Sequence, residues 1–160
     1  MFKLLENIFT GTNLAVLGIV LATVLPGIGS ARGVNLVARA TAGLISEEPN
    51  KYGKSMLLQA LPMTQGIYGM VTSFMILVKS GIMSDKMVEL TVGRGAYFLL
   101  ASLPIAFGGL YSAIRQGEVA ASGISVLAKK PDAVGKAIIS ASFVELYAIL
   151  ALLISLLMVL

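Results

Sequence analysis

Cysteine, histidine and tryptophan are all missing from this chain. Without cysteine there are no disulfides and no thiolate metal centre. Without histidine the commonest general base and the usual zinc ligand are gone, which argues against hydrolytic chemistry. Charge is scarce as well: 12% of residues are Asp, Glu, Lys or Arg, against about 25% in a soluble domain. Apolar residues reach 57% and mean hydropathy is +0.90, values that fit a protein whose solvent is mostly lipid. The net charge of +4 suits basic cytoplasmic loops. No basic stripe with interleaved aromatics appears, so nucleic acid is not an expected partner. Lys3 precedes an apolar stretch, but that stretch outruns the core of a signal peptide and ends in no cleavage site. The N-terminal segment is therefore expected to stay with the chain.

What is present is four stretches nearly free of charge: Asn7–Ala31, Ser55–Val78, Gly95–Ile114 and Ala137–Leu160. Each is about 20 residues or more, enough to cross a ~30 Å hydrocarbon core as a helix. Lipid cannot satisfy open strand edges, so helix is the expected state. The expected fold is an all-α membrane protein of four transmembrane helices in two tandem hairpins, one about 7–79 and the other about 88–160. The joining segments are "SEEPNKYGK" (Ser46–Lys54), "KSGIMSDK" (Lys79–Lys86) and "KKPDAVGK" (Lys129–Lys136). Beyond Arg32 and Arg115 the pattern stays small and apolar, so spans one and three are expected to run past the bilayer as helix.

Arg32, Arg39, Lys51, Lys54, Arg115, Lys129, Lys130 and Lys136 cluster toward loops 46–54 and 129–136. Only Lys3, Lys79, Lys86 and Arg94 lie toward the other side. The positive-inside rule then puts those two loops in the cytoplasm and both termini outside a multi-pass cell-membrane protein.

The halves read as a tandem repeat. A shift of 82 residues places Pro49 on Pro131, Gly53 on Gly135, Lys54 on Lys136 and Ser30–Ala31 on Ser112–Ala113. Thr64 and Glu145 then match to within one residue. Spans one and three carry small-residue stripes, with Gly29 and Gly33 in one and Gly108, Gly109, Ala113 and Gly117 in the other. Such stripes let helices approach closely in lipid. They serve packing inside one four-helix bundle or packing between copies in a ring, and the stripe does not separate the two.

Polar groups inside the spans each need a partner there. Glu145 is the sole charge between Ala137 and Leu160. In the second span Leu61, Thr64, Gln65 and Tyr68 share one helix face, and Pro62 loosens the backbone beside them. Measured from Lys136, Lys54 and Lys129, Glu145, Gln65 and Gln116 lie roughly 13, 16 and 20 Å deep at 1.5 Å per residue. Carboxylate, amides and hydroxyl thus fall in one layer, an all-oxygen set that suits a hard cation. Taken singly, Gln116 reads as a packing hydrogen-bonder, Tyr68 as an interface residue and Thr64 as bonding back to its own helix. Arg115 has two candidate partners, Glu118 at i, i+3 or Glu145 across the layer.

"LPGIGSARG" (Leu25–Gly33), "LQALPMTQGIYG" (Leu58–Gly69), "LPIAFGGLYSAIRQGEVAASGI" (Leu103–Ile124) and "FVELYAIL" (Phe143–Leu150) resemble the duplicated c-type proteolipid, or K subunit, of rotary V-type ATPases. The likeness covers nearly the whole chain and points most to the bacterial sodium-transporting members. It implies a homo-oligomeric rotor ring that carries ions and turns against a stator membrane subunit with an arginine. Central-stalk subunits would meet the cytoplasmic loops, and lipids would surround the ring. ATP would be hydrolysed on other subunits, so the chain itself is not an enzyme. The resemblance also implies a sodium site made by the Leu61 carbonyl, Thr64, Gln65, Gln116 and Glu145, with Tyr68 holding the carboxylate closed. Arg115 and Glu118 depart from the family pattern beside Gln116. Two alternatives remain: a proton-carrying ring of the same build, and a small four-helix exporter of cationic drugs.

Overall fold

The computed structural model describes residues 9–84 and 89–160, and every regular element among them is helical. Helix α1 (Gly11–Glu47) begins at Thr10, whose hydroxyl accepts the Asn13 N–H at 3.2 Å. A 3-10 turn (Pro49–Lys51) leads to α2 (Tyr52–Ala60), a second 3-10 turn (Leu61–Met63) and α3 (Thr64–Ser80). Gly81 ends α3 in the left-handed conformation at φ 75°, which a residue without Cβ adopts freely. Helix α4 (Val92–Lys129) starts like α1, with Thr91 accepting from Arg94 N–H at 3.3 Å. A third 3-10 turn (Pro131–Ala133) precedes α5 (Val134–Val159).

Among the described residues, four helical segments are long and apolar enough to cross a membrane, with α2 and α3 together making the second. Helices α1 and α4, at 37 and 38 residues, extend roughly 55 Å and so outrun a ~30 Å hydrocarbon core, as expected. The connections are tighter than the sequence suggested. Within 46–54 only Glu48 lies outside a helical turn, and within 129–136 only Lys130 does. The reason is Pro49 and Pro131, whose fixed φ and missing N–H stop one helix and seed the next turn at once. Lys51 Nζ donates to Glu48 Oε1 at 2.7 Å and to the Ala128 carbonyl at 2.8 Å. It thereby places a cation on the free carbonyls that end α4. The hairpin boundaries near 7 and 88, with Lys3 and Lys86, lie outside the described residues.

The small-residue stripes pack within the chain. Parallel helices α1 and α4 form the central pair, and a Cβ on Gly33 or Gly117 would run into the other helix's backbone. Gly11 and Gly95 meet likewise one end further along. Pro26 fits between Gly69 and Gly109, where a Cβ on either would come within 2.9 Å of its ring. Lipid offers no hydrophobic drive for helix pairing, so close dispersion contact of this kind carries the association. Two apolar cores flank the middle. Val37, Leu58, Ile124 and Leu127 fill the one near the 3-10 connections, and Ala15, Ile76, Phe98 and Ala101 the one near Gly81. Helices α3 and α5 flank the central pair and present apolar side chains outward, among them Ile67, Met70, Phe74, Leu146, Leu150 and Leu157.

The repeat is legible in hydrogen bonds. Ser30 Oγ donates to the Met63 carbonyl at 3.4 Å, and Ser112 Oγ to the Val144 carbonyl at 2.9 Å. At the other level Ser73 Oγ donates to the Ile19 carbonyl at 2.9 Å, while Ser155 Oγ accepts from the Ile105 N–H at 3.1 Å. Ser30 with Ser112, and Ser73 with Ser155, are each 82 residues apart. Each hairpin is thus bolted at two heights by equivalent serines.

Candidate functional site

The second span is broken where its polar residues lie. Proline at position 62 has no N–H to donate, and Leu61–Met63 tighten into a 3-10 turn. The restart of the helix at Thr64 leaves donors without partners in its first turn. Ser30 on α1 satisfies one of them, accepting the Gly66 N–H at 2.9 Å. Thr64 Oγ1 donates to the Leu61 carbonyl at 3.1 Å, which leaves these two oxygens side by side.

On the face that this restart presents, the expected layer assembles. Tyr68 Oη donates to Glu145 Oε1 at 2.6 Å, and Gln116 Nε2 donates to Glu145 Oε2 at 3.4 Å. Gln65 Nε2 donates to Gln116 Oε1 at 2.5 Å and reaches Ser112 Oγ at 3.5 Å. Gln65 and Gln116 are both fully buried, while Glu145 is half-buried between outward-facing Leu146 and the α3 helix.

The polarity of this chain of bonds follows from its end. An ionised carboxylate only accepts, so Gln116 must turn its amide NH2 toward Glu145. Its oxygen then faces Gln65, and Gln65 must answer with its own NH2. That leaves Gln65 Oε1 as a buried acceptor without a hydrogen-bond partner. An unpaired polar atom in such a place costs about 1–3 kcal/mol. The site therefore holds a surplus of oxygen: one buried amide carbonyl without a donor and one carboxylate without a cation among the described residues. One carboxylate with amide oxygens is an all-oxygen donor set of the kind that suits a hard cation, and no group of three or more His, Cys, Asp or Glu occurs among the described residues.

Glu145, Gln116, Gln65 and Tyr68, all expected at the site, form one connected network. Thr64 and Leu61 sit on the same helix break but bond to each other rather than to the carboxylate. Arg115 does not reach Glu145; it pairs with Glu118 at 3.0 Å, and its side chain is 69% exposed. Sequence reasoning missed Ser112, which ties Val144, next to Glu145, to α4 while holding the Gln65 amide. The signal was available, since Ser112 is the repeat partner of Ser30.

Known proteins are similar to this chain in sequence. A sequence model of the ATP synthase C-subunit family matches the chain twice, at residues 17–76 and 99–158. The "V-type sodium ATPase subunit K" of Enterococcus hirae is 49% identical over 150 residues, covering 94% of this chain and 92% of that protein. The "A-type ATP synthase subunit K" of Methanocaldococcus jannaschii is 37% identical over 145 residues, 91% of this chain. The chain spans 61% of that longer protein.

Proposed function

Since the chain belongs to the ATP synthase C-subunit family, in duplicated form, we propose that it is a rotor-ring subunit that carries sodium on Glu145. It is a multi-pass membrane subunit that translocates ions and catalyses nothing itself. Family membership removes the drug-exporter alternative. The proposal concerns the cargo, its ligands, the orientation in the membrane and the neighbouring subunits.

The observation that carries the sodium reading is the free Gln65 Oε1 in one hydrogen-bond network with a carboxylate that has donors but no cation. A proton needs only Glu145, because protonation neutralises it and adds a donor. A sodium ion needs several oxygens, and in this reading they are Glu145, the Gln65 carbonyl and, at the helix break, Thr64 and the Leu61 carbonyl. Gln116 would join by turning its amide together with that of Gln65, whose oxygen would then be shared between the Gln116 NH2 and the ion. The name of the E. hirae relative, a sodium ATPase subunit, agrees with this choice of cargo.

The mechanism follows from solvation. Sodium bound at Glu145 makes the site neutral, and Tyr68 holds the carboxylate in place as the site moves through lipid. An empty site leaves a bare carboxylate toward hydrocarbon, at a cost of several kcal/mol. Each site must therefore be loaded before it leaves the stator. An arginine of the stator membrane subunit would supply the competing positive charge that releases the ion. The loops at 46–54 and 129–136 would face the cytoplasm and the central-stalk subunits, with both termini outside.

Carbodiimide labelling in membranes tests this, because the reagent attacks a protonated carboxyl. Glu145 should label, and sodium at fixed pH should protect it. Labelling that sodium does not slow overturns the sodium reading in favour of a proton-carrying ring.

A further inference from the structure

The internal repeat supplies the geometry of the contact between copies. Across the α1–α4 contact Gly11 meets Gly95, Gly18 meets Leu99, Gly29 meets Leu110, and Gly33 meets Ala113 and Gly117. These partners stand 80 to 84 residues apart, on both sides of the 82-residue repeat. Equivalent residues of the two halves therefore lie at nearly one height on parallel helices. The operation that relates the halves is a rotation about an axis running along the helices, with little rise. Repetition of a rotation without rise closes into a ring, whereas a rise would build a filament.

Applied once more, that operation puts α4 in the role of α1 and the next copy's α1 in the role of α4. The α1 face it requires holds Leu17, Gly27, Ile28, Ala31 and Asn35, equivalents of Leu99, Gly109, Leu110, Ala113 and Gly117. Within one chain this face is uncovered: Leu17 and Ile28 are 46% and 41% exposed, and nothing lies within 4 Å of a Cβ built on Gly27. The matching α4 face holds Leu100, Tyr111 and Arg115, all exposed, as equivalents of Gly18, Gly29 and Gly33. The between-copy contact thus differs from the within-chain one at each of these levels, because Leu100, Tyr111 and Arg115 hold the helices further apart than Gly18, Gly29 and Gly33 do. Where Gly33 lies on Gly117, backbone to backbone, Arg115 lies on Asn35 of the neighbouring copy.

Charge complements this placement. Arg39 is one helical turn beyond Asn35, and Glu118 is one turn beyond Arg115 on the same side. Arg39 forms no ion pair within the chain among the described residues, and Glu118 pairs only with Arg115 there. Resting on the rotor-ring reading, we infer that Arg115 and Glu118 of each copy clamp Asn35 and Arg39 of the next. In that clamp Arg115 donates to the Asn35 amide oxygen, and Glu118 is shared between Arg115 and the neighbour's Arg39. The two residues that depart from the family pattern beside Gln116 become the polar joint between copies, with Arg115 in the same groove as Ser112 and Val144.

The absence of cysteine allows a clean test in the full chain. Ile28→Cys combined with Tyr111→Cys places thiols at equivalents of Leu110 and Gly29 and leaves the clamp intact. A short thiol-to-thiol crosslinker in membranes should give a ladder of covalent multimers, with neither single variant going beyond a dimer. Separately, Glu118→Arg or Arg39→Glu should lower the oligomer fraction surviving mild detergent heating, by roughly tenfold for a coupled charge pair. The double reversal should recover most of it. If the unmutated chain runs as a high-order oligomer but the cysteine pair gives no ladder, this interface is overturned while the ring stands. A ladder without recovery in the double reversal overturns the clamp. If no high-order oligomer forms at all, the ring reading fails, and the interface with it.

Discussion

Tyr68 and Glu145 are joined by a 2.6 Å hydrogen bond although they lie 77 residues apart, one in each hairpin. The bond links α3 to α5 across the outer side of the bundle, where the carboxylate is half-buried among apolar neighbours. The phenol therefore does two things: it lowers the cost of a charge at this depth and fixes which way the carboxylate points.

Tyr68→Phe keeps the ring and removes the donor. A hydrogen bond to a charged group is worth about 1.5–3 kcal/mol, so the sodium concentration that half-protects Glu145 from carbodiimide should rise roughly ten- to a hundredfold. An unchanged protection curve would show that the hydroxyl does not hold the loaded site closed.

Glu145→Gln removes the only carboxylate of the layer while keeping its size. Ion transport by the assembled complex should be lost, with the oligomer retained in detergent. Transport at the unmutated rate would mean that the ion passes by another route.

Gln65→Leu separates the two candidate cargoes. It deletes the free carbonyl oxygen and leaves Glu145 with both of its present donors, Tyr68 and Gln116. Sodium protection should vanish while labelling of the protonated carboxyl persists. For the unmutated chain, more sodium should be needed for protection as pH falls, because proton and sodium compete for one carboxylate. Protection independent of pH argues against a shared site.

Ser30→Ala should lower thermal stability in detergent by about 1 kcal/mol, the usual worth of a helix-capping hydroxyl. Ser30 accepts the Gly66 N–H at the restart of α3 and so supports the helix that carries Gln65 and Tyr68. Its repeat partner Ser112 contacts Gln65 directly, so Ser112→Ala should also weaken sodium protection. Equal and purely structural effects of the two would remove Ser112 from the site.

Gly117→Ala should cost roughly 1–3 kcal/mol by overpacking, because its Cβ would enter the Gly33 backbone. Gly43→Ala is the control, since a Cβ there meets nothing within 4 Å. Thermal unfolding in detergent that ranks the two equally would contradict the close crossing of α1 and α4.

Several features of this protein were decided by the sequence alone, because they depend on local composition. Charge-free runs of about 20 residues set four helices in lipid, and Pro49, Pro131 and Gly81 set where they stop. The depth of Glu145, Gln65 and Gln116 could be counted along the chain because helical rise is nearly uniform and the short 3-10 turn at Leu61–Met63 alters it little, and the three side chains do meet. Even so, the proline-bounded connections proved tighter than the polar composition of 46–54 and 129–136 implied. What a residue touches was another matter. A stripe of glycines records that something comes close without recording what, and only the packed structure joined Gly33 to Gly117 inside one chain. Arg115 had two carboxylates within plausible reach, and the fold turned it to Glu118. Ser112 looked like one more small residue until the Gln65 amide came to rest against it. The unpaired oxygen of Gln65 emerged only when the whole chain of donors and acceptors was closed, because hydrogen-bond polarity belongs to the network and to no residue by itself.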